Sequence, residues 1–128
     1  MKVAVDTNVL VRYIVWDDEQ QARKSEALIE SADIVVLSTV VLCETVWVLS
    51  RAYQYKPGEM VQVLADLIGS RNVEVDRAAT EAGLVMLARG GDFADGVVEH
   101  DALEKGCSHF ATFDEEFAER LSSRLKRL

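Results

Sequence analysis

The fold prediction depends on one stretch near the amino terminus, Lys2-Val3-Ala4-Val5-Asp6-Thr7-Asn8. A short apolar run without polar alternation is typical of a strand covered on both faces, as in a parallel sheet with helices on each side. Ligands of such sheets bind beyond the carboxyl ends of the strands. The stretch therefore predicts a short buried strand that delivers Asp6 to the edge of a sheet.

A simpler interpretation of the same stretch is helix capping. Asp6, Thr7 and Asn8 all accept hydrogen bonds from free N–H groups at the start of a helix, and residues 9–15 are apolar enough to form one. For this stretch alone, capping is the better interpretation. The positions of the other acidic residues are what favour a functional role.

Length and composition indicate one globular domain, residues 1–128. The chain has 49% hydrophobic residues, a single proline and neither a repeat nor a linker. Its formal net charge of -8 would ordinarily argue against a nucleic acid partner, because phosphate contacts supply most of that affinity. Divalent cations bound among acidic residues reverse the local charge, so net charge leaves the partner open.

Cysteine usage and hydropathy predict a cytoplasmic protein that does not enter a membrane. Cys43 and Cys107 lie far apart without metal-binding spacing, which favours reduced thiols in the core. Asp6 interrupts the amino terminus too early for a signal peptide. The most apolar stretch, 34–50, is short for a membrane span and contains Glu44.

Hydrophobic periodicity and capping residues predict four strands that alternate with seven helices. The predicted strands are 3–5, 34–37, 72–75 and 109–112, and the predicted helices are 9–15, 18–31, 38–53, 57–69, 77–88, 92–105 and 115–121. Thr112 and Glu115 resemble a capping box for the last helix. The order predicts an α/β fold, a three-layer α/β/α sandwich with a mainly parallel four- or five-stranded sheet.

Four acidic positions from distant parts of the chain fall at the same edge of this predicted sheet. Asp6 ends the first strand, Glu44 lies early in the helix after the second, and Asp114 follows the fourth. The helix that leads into the fourth strand begins at the same edge, with Asp92 and Asp95. The four positions Asp6, Glu44, Asp95 and Asp114 are therefore expected to share one site.

Each acid also has a purely structural interpretation. Asp95 shares a helical face with Asp92 and Glu99, which is typical of a cap followed by a solvated face, and Asp114 could simply start the last helix. Glu44 is the exception, because burying an unpaired carboxylate in an apolar run costs several kcal/mol. We expect a bound cation to hold it.

The residue types fit a hard cation. Oxygen ligands without histidine or cysteine suit Mg²⁺ or Mn²⁺, bound as one or two ions. Such ions activate water and stabilise a leaving alkoxide, which favours phosphodiester hydrolysis.

Four motifs in order resemble one known family. Asp6-Thr7-Asn8, Glu44 after a strand, Asp92-Phe93-Ala94-Asp95 and Thr112-Phe113-Asp114 resemble the PIN-domain ribonucleases, in particular the VapC toxins of bacterial and archaeal toxin–antitoxin pairs. The resemblance covers nearly the whole chain. Members of the family usually finish with a fifth strand, whereas residues 122–128 lack a β pattern and are expected to fray, add helix or remain a tail.

The resemblance implies metal-dependent endonucleolytic cleavage of RNA. It makes Asp6, Glu44 and Asp95 the main metal ligands and Asp114 a weaker fourth acid. Asn8 and Thr112 would orient these carboxylates by hydrogen bonding. A cognate antitoxin and a homodimer are the protein partners that the family implies.

Two other functions fit parts of the pattern. A PIN scaffold retained only for binding RNA or protein would keep the fold without catalysis, although all four acids are present. A Mg²⁺-binding receiver module of a signalling system expects a cluster of acids after the first strand and a lysine after a late strand. Here Thr7 and Asn8 follow Asp6, and no lysine lies between Thr112 and Lys126.

The carboxyl terminus is basic on an otherwise acidic chain. The cationic residues are Arg120, Arg124, Lys126 and Arg127. Two interpretations carry equal weight, a solvated tail and a surface that contacts RNA phosphates or an acidic neighbour.

Overall fold

The computed structural model describes all residues, 1–128, as five strands and seven helices. The strands are β1 (Lys2–Ala4), β2 (Ile34–Val36), β3 (Val73–Glu74), β4 (His109–Phe110) and β5 (Lys126–Arg127). The helices are α1 (Thr7–Ile14), α2 (Glu19–Ser31), α3 (Thr39–Tyr53), α4 (Pro57–Ile68), α5 (Arg77–Ala88), α6 (Phe93–Glu104) and α7 (Glu115–Glu119). The chain divides into two compact units, Met1–Asp76 and Arg77–Leu128, called here the amino unit and the carboxyl unit.

The amino unit is built on a parallel sheet with the strand order β1-β2-β3. Val35 of β2, 1% exposed, lies opposite Val3 of β1 and Val73 of β3. Parallel neighbours need long crossover connections, and these are supplied by α1 with α2 and by α3 with α4. The predicted α/β class with parallel strands is confirmed.

The prediction that the first strand is covered on both faces is wrong. β1 hydrogen-bonds with β2 alone, Lys2 and Ala4 are exposed, and Val3 is half-buried. Burial begins only at Val5, 7% exposed, after the strand has ended. A run of apolar residues therefore marked the strand correctly but did not reveal that it lies at an edge of its sheet.

Helix α3 supplies a large share of the amino unit's core. Its residues Leu42, Val46 and Leu49 are buried. Thr45 lies on the same face with no exposed surface, and its Oγ1 makes no hydrogen bond. An unsatisfied buried hydroxyl is destabilising, because it has lost its hydrogen bonds to water without replacement.

Replacement of Thr45 by valine is expected to stabilise the protein by about 1 kcal/mol, since the change removes the unpaired hydroxyl and keeps the branched shape. Thermal unfolding measures the effect as a rise in Tm. Thr45→Ser is the matched variant, which keeps the hydroxyl, removes a buried methyl group and should lower Tm. A Tm below that of the wild type for Thr45→Val would show that the hydroxyl has a partner.

Close packing of α5 against α6 dominates the carboxyl unit. Phe93 is fully buried, and a Cβ added at Gly83 would lie 2.6 Å from its ring atom Cε2. A Cβ at Gly96 would lie 2.4 Å from the carbonyl oxygen of Ala82 and 2.7 Å from Cβ of Met86. Both glycines therefore allow an approach of the two helices that any side chain would obstruct.

The carboxyl terminus forms a strand, so the expectation that residues 122–128 fray, add helix or remain a tail is wrong. Lys126 and Arg127 of β5 pair in parallel with His109 and Phe110 of β4. Leu125, 5% exposed, anchors the segment by burial. The strand depends on this distant partner rather than on its own sequence pattern.

Hydrogen bonding groups the five strands as three in the amino unit and two in the carboxyl unit. A single domain over residues 1–128 stays a prediction.

None of the helices has both the length and the apolar composition that crossing a membrane would require.

Candidate active site

Asp6 follows β1 and caps α1, so the capping interpretation is confirmed. Its Oδ1 accepts the backbone N–H of Asn8 at 3.2 Å, while Oδ2 accepts no hydrogen bond. The carboxylate is exposed at the carboxyl end of β1. Capping therefore fixes the orientation of Asp6 and leaves one oxygen free, which is compatible with binding a cation.

The two residues after Asp6 differ in environment. Thr7 is 8% exposed in the first turn of α1, whereas Asn8 is exposed. The hydrogen bond from Asn8 to Asp6 comes from the backbone. An orienting role for the Asn8 side chain stays a prediction.

Glu44 is exposed on α3, so the argument that it must be held in the core is wrong. The buried face of α3 consists of Leu42, Thr45, Val46 and Leu49, and Glu44 lies on the outer face between Val40 and Trp47. Val40 is 67% exposed and Trp47 59% exposed. The apolar run misled the prediction because α3 carries large apolar residues on both faces.

Asp95 is half-buried in the first turn of α6, after the N-cap Asp92. Burial raises the pKa of the Asp95 carboxyl above its ordinary value, and the nearby charges of Asp92 and Asp114 raise it further. Arg120 acts in the opposite direction. The carboxyl unit therefore brings acids from α6 and from the end of β4 into electrostatic range.

Asp114 is the N-cap of α7, with Oδ1 accepting the N–H of Phe117 at 3.1 Å. The predicted capping box that began at Thr112 is wrong. The Oγ1 of Thr112 accepts the backbone N–H of Asp114 at 3.0 Å. Thr112 thus fixes the backbone of Asp114. That Thr112 also orients the carboxylate of Asp114 by a hydrogen bond stays a prediction.

The Arg127 side chain contacts an acidic neighbour, which is one of the alternatives that the sequence left open for the basic carboxyl terminus. Its guanidinium donates to both carboxylate oxygens of Glu115, at 2.6 and 2.7 Å, and to the carbonyl oxygen of Thr112 at 3.2 Å. Contact of this terminus with RNA phosphates stays a prediction. Arg127 joins the end of the chain to the residues on both sides of Asp114.

Loss of this tie is expected to impair a reaction that depends on Asp114. Arg127→Gln should lower the rate of RNA cleavage roughly ten-fold with little change in Tm, because supporting hydrogen bonds set the orientation of the groups they hold. Arg124→Gln is the matched control, since Arg124 is exposed and forms no ion pair. Equal cleavage rates for the two variants would contradict the prediction.

The donor set fits a hard cation, but no complete ligand group is assembled within either unit. Neither unit gathers three or more histidine, cysteine, aspartate or glutamate side chains closely enough to hold a metal ion. Burial and the charges of Asp92 and Asp114 raise the pKa of Asp95, and a bound cation would offset the repulsion among these acids. A metal site shared by all four acids stays a prediction.

One cleft of the amino unit lies away from the candidate acids. Its volume is about 620 Å³, and its lining includes Tyr13, Asp33, Arg71 and Asn72. Asp33 and Asn72 precede β2 and β3. This cleft therefore lies at the amino ends of the strands, opposite the edge that carries Asp6.

Comparison with known proteins identifies the family. A family model of the PIN domain matches residues 3–120, so the chain belongs to the PIN-domain family and to its class of nucleases. The fold is similar to the crystal structure of Mycobacterium tuberculosis VapC20, described as a sarcin-ricin loop cleaving toxin. That similarity has 22% sequence identity and a TM-score of 0.46, and covers 98% of this chain and 99% of VapC20. A search of curated proteins gives no significant match.

Proposed function

We propose that this protein is a metal-dependent endoribonuclease and the toxin of a type II toxin–antitoxin pair. The observation that carries the proposal is the PIN-domain match, which spans the positions of Asp6, Glu44, Asp95 and Asp114. Because the chain belongs to the PIN-domain family, we no longer consider a receiver module of a signalling system. RNA is the proposed substrate, and the proposed protein partners are a cognate antitoxin and a second copy of the chain.

The acids proposed to bind the metal are Asp6, Glu44, Asp95 and Asp114, with one or two Mg²⁺ or Mn²⁺ ions. When bound, such an ion polarises a phosphodiester, lowers the pKa of water and stabilises the leaving oxygen. Hard oxygen ligands without histidine or cysteine support this choice of cation.

The chain's own contribution is the orientation of these carboxylates. The Asn8 N–H holds Oδ1 of Asp6, and the Phe117 N–H holds Oδ1 of Asp114. Both acids are thus fixed as helix caps before any ligand arrives, which lowers the entropic cost of binding. Asp95 brings a carboxylate whose ionised form is disfavoured in the metal-free protein and is favoured by a cation.

Cytoplasmic localisation is part of the proposal. Cys43 and Cys107 form no disulfide, which supports a reducing compartment. The prediction that both thiols lie in the core is wrong, because Cys43 is half-buried and Cys107 is exposed.

Cleavage of a mixed RNA pool by purified protein tests the proposal, with Mg²⁺, with Mn²⁺ and with EDTA. We expect cleavage with either ion, none with EDTA, and none for Asp6→Asn under any condition. Asp66→Asn is the control and should cleave normally, because Asp66 is an exposed residue of α4 whose carboxylate accepts a hydrogen bond only from Gln62. Cleavage that persists in EDTA would overturn the metal dependence.

Absence of cleavage under all conditions would favour a PIN scaffold that only binds. Thermal unfolding then separates the alternatives, since a protein that binds Mn²⁺ gains stability from it and a scaffold without a metal site does not.

A further inference from the structure

Phe113 is the most exposed large apolar side chain of the protein. Its relative exposure is 103%, compared with 82% for Leu128 and 67% for Val40. The ring contacts no other aromatic ring, whereas Phe110 and Phe117 pack edge to face with their centroids 5.1 Å apart. The aromatic core of this unit is therefore formed by its neighbours, and Phe113 lies outside it.

The turn that carries Phe113 is held on both sides. Thr112 accepts the N–H of Asp114 through Oγ1 and a hydrogen bond from Arg127 through its carbonyl oxygen. Asp114 caps α7, and Glu115 is paired with Arg127. These bonds fix the backbone on either side of the ring, so exposure of Phe113 follows from a defined turn and not from a loose segment.

We propose that Phe113 is a substrate-positioning residue, on whose ring a nucleobase next to the cleaved phosphodiester of a single-stranded RNA segment stacks. The inference rests on the proposed function. It follows from the position of the ring, one residue before the candidate acid Asp114. Aromatic side chains are the usual platforms for unpaired bases, since every base offers a flat face.

The surroundings of Phe113 favour a base over a protein surface. A protein partner requires a contiguous apolar patch, whereas stacking requires one accessible ring. The three residues that follow Phe113 in the chain, Asp114, Glu115 and Glu116, are exposed and acidic. Glu115 is paired with Arg127, and Asp114 is a proposed metal ligand, so a bound cation would offset its repulsion of RNA phosphates. A single flat ring among them suits a base whose phosphate binds at the proposed metal site.

The stacking role also restricts the substrate. Bases within an A-form duplex are stacked on each other and present no free face to a protein ring. We therefore expect cleavage in loops, bulges or unpaired segments, and much slower cleavage of the same sequence when it is annealed to its complement.

Variants at position 113 test the proposal through cleavage kinetics on a single-stranded RNA pool. Phe113→Ala and Phe113→Leu are expected to raise KM roughly ten-fold, with a smaller change in kcat, because one stacked base is lost. Phe113→Trp should retain the wild-type KM. Leu128→Ala, which removes another exposed apolar side chain of the same unit, is the matched control and should have no effect.

The possible results separate this inference from the proposed function. A wild-type KM and kcat for Phe113→Ala would overturn the stacking role. So would a wild-type KM for both Phe113→Leu and Phe113→Trp. Neither result would contradict the proposed nuclease activity. Wild-type cleavage by Phe113→Ala together with a change in its oligomeric state on gel filtration would assign the ring to a protein interface instead. A wild-type protein that neither cleaves nor binds the RNA pool would overturn the proposed function and the stacking role with it.

Discussion

The Asp95→Asn variant is expected to remain folded and to lose at least about 100-fold in the rate of RNA cleavage. Asparagine has nearly the shape of aspartate but no negative charge, and a metal ion that supplies several kcal/mol of transition-state stabilisation depends on charged ligands. Folding does not require the charge. The half-buried Asp95 lies near Asp92 and Asp114, and both burial and these neighbours oppose its ionisation.

The pH dependence of stability follows from the same shift. Because the pKa of Asp95 is raised in the folded, metal-free protein, the folded state holds the proton more tightly than the unfolded state. The stabilising effect is complete below about pH 4, the ordinary range of an aspartate, and is lost as the pH rises through the raised pKa. At neutral pH the metal-free Asp95→Asn protein should therefore be at least as stable as the wild type.

Two measurements check this prediction. RNA cleavage and Tm are compared for wild type, Asp95→Asn and Asp101→Asn, the last being an exposed acid on the same helix that pairs with Lys105. Mg²⁺ should raise the Tm of the wild type and of Asp101→Asn, but raise that of Asp95→Asn less. Retained cleavage by Asp95→Asn, with contaminating nuclease excluded, would remove Asp95 from the site.

Replacement of Gly96 by alanine is expected to be the most damaging conservative change in the carboxyl unit. The new Cβ would lie 2.4 Å from the carbonyl oxygen of Ala82, which belongs to the backbone of α5 and cannot rotate away. Overpacking of this kind costs about 1–3 kcal/mol, and a clash with backbone places Gly96→Ala at the upper end. The corresponding fall in Tm is on the order of 10 °C.

Activity should fall with stability in this variant, because Gly96 directly follows Asp95 and any shift of α6 moves that carboxylate. Gly58→Ala is the matched control, since a Cβ at this exposed position of α4 would meet nothing within 4 Å. It should leave activity unchanged and stabilise the protein by about 0.5 kcal/mol through a less flexible unfolded chain. A Tm for Gly96→Ala equal to that of the wild type would show that α5 and α6 can separate without cost.

Sequence by itself predicted most of the helices and their ends. α4 begins at Pro57 and stops before Gly69, as predicted. The sequence placed the start of α2 at Asp17 or Asp18 and that of α3 at Ser38 or Thr39, and the N-caps are Asp18 and Ser38. These features depend on bonds between residues a few positions apart, so local sequence is sufficient to specify them. The PIN family also followed from the sequence, because its acidic motifs occur in a fixed order along the chain.

Only the tertiary structure decided which of these residues are buried, paired or exposed. The β5 strand, the tie from Arg127 to Glu115 and the approach of α5 to Gly96 all join residues that are distant in the chain or lie on separate elements. Exposure of Glu44 likewise depends on which face of α3 packs against the core. Periodicity describes one element at a time, whereas burial and pairing are set by the neighbours that folding brings to it.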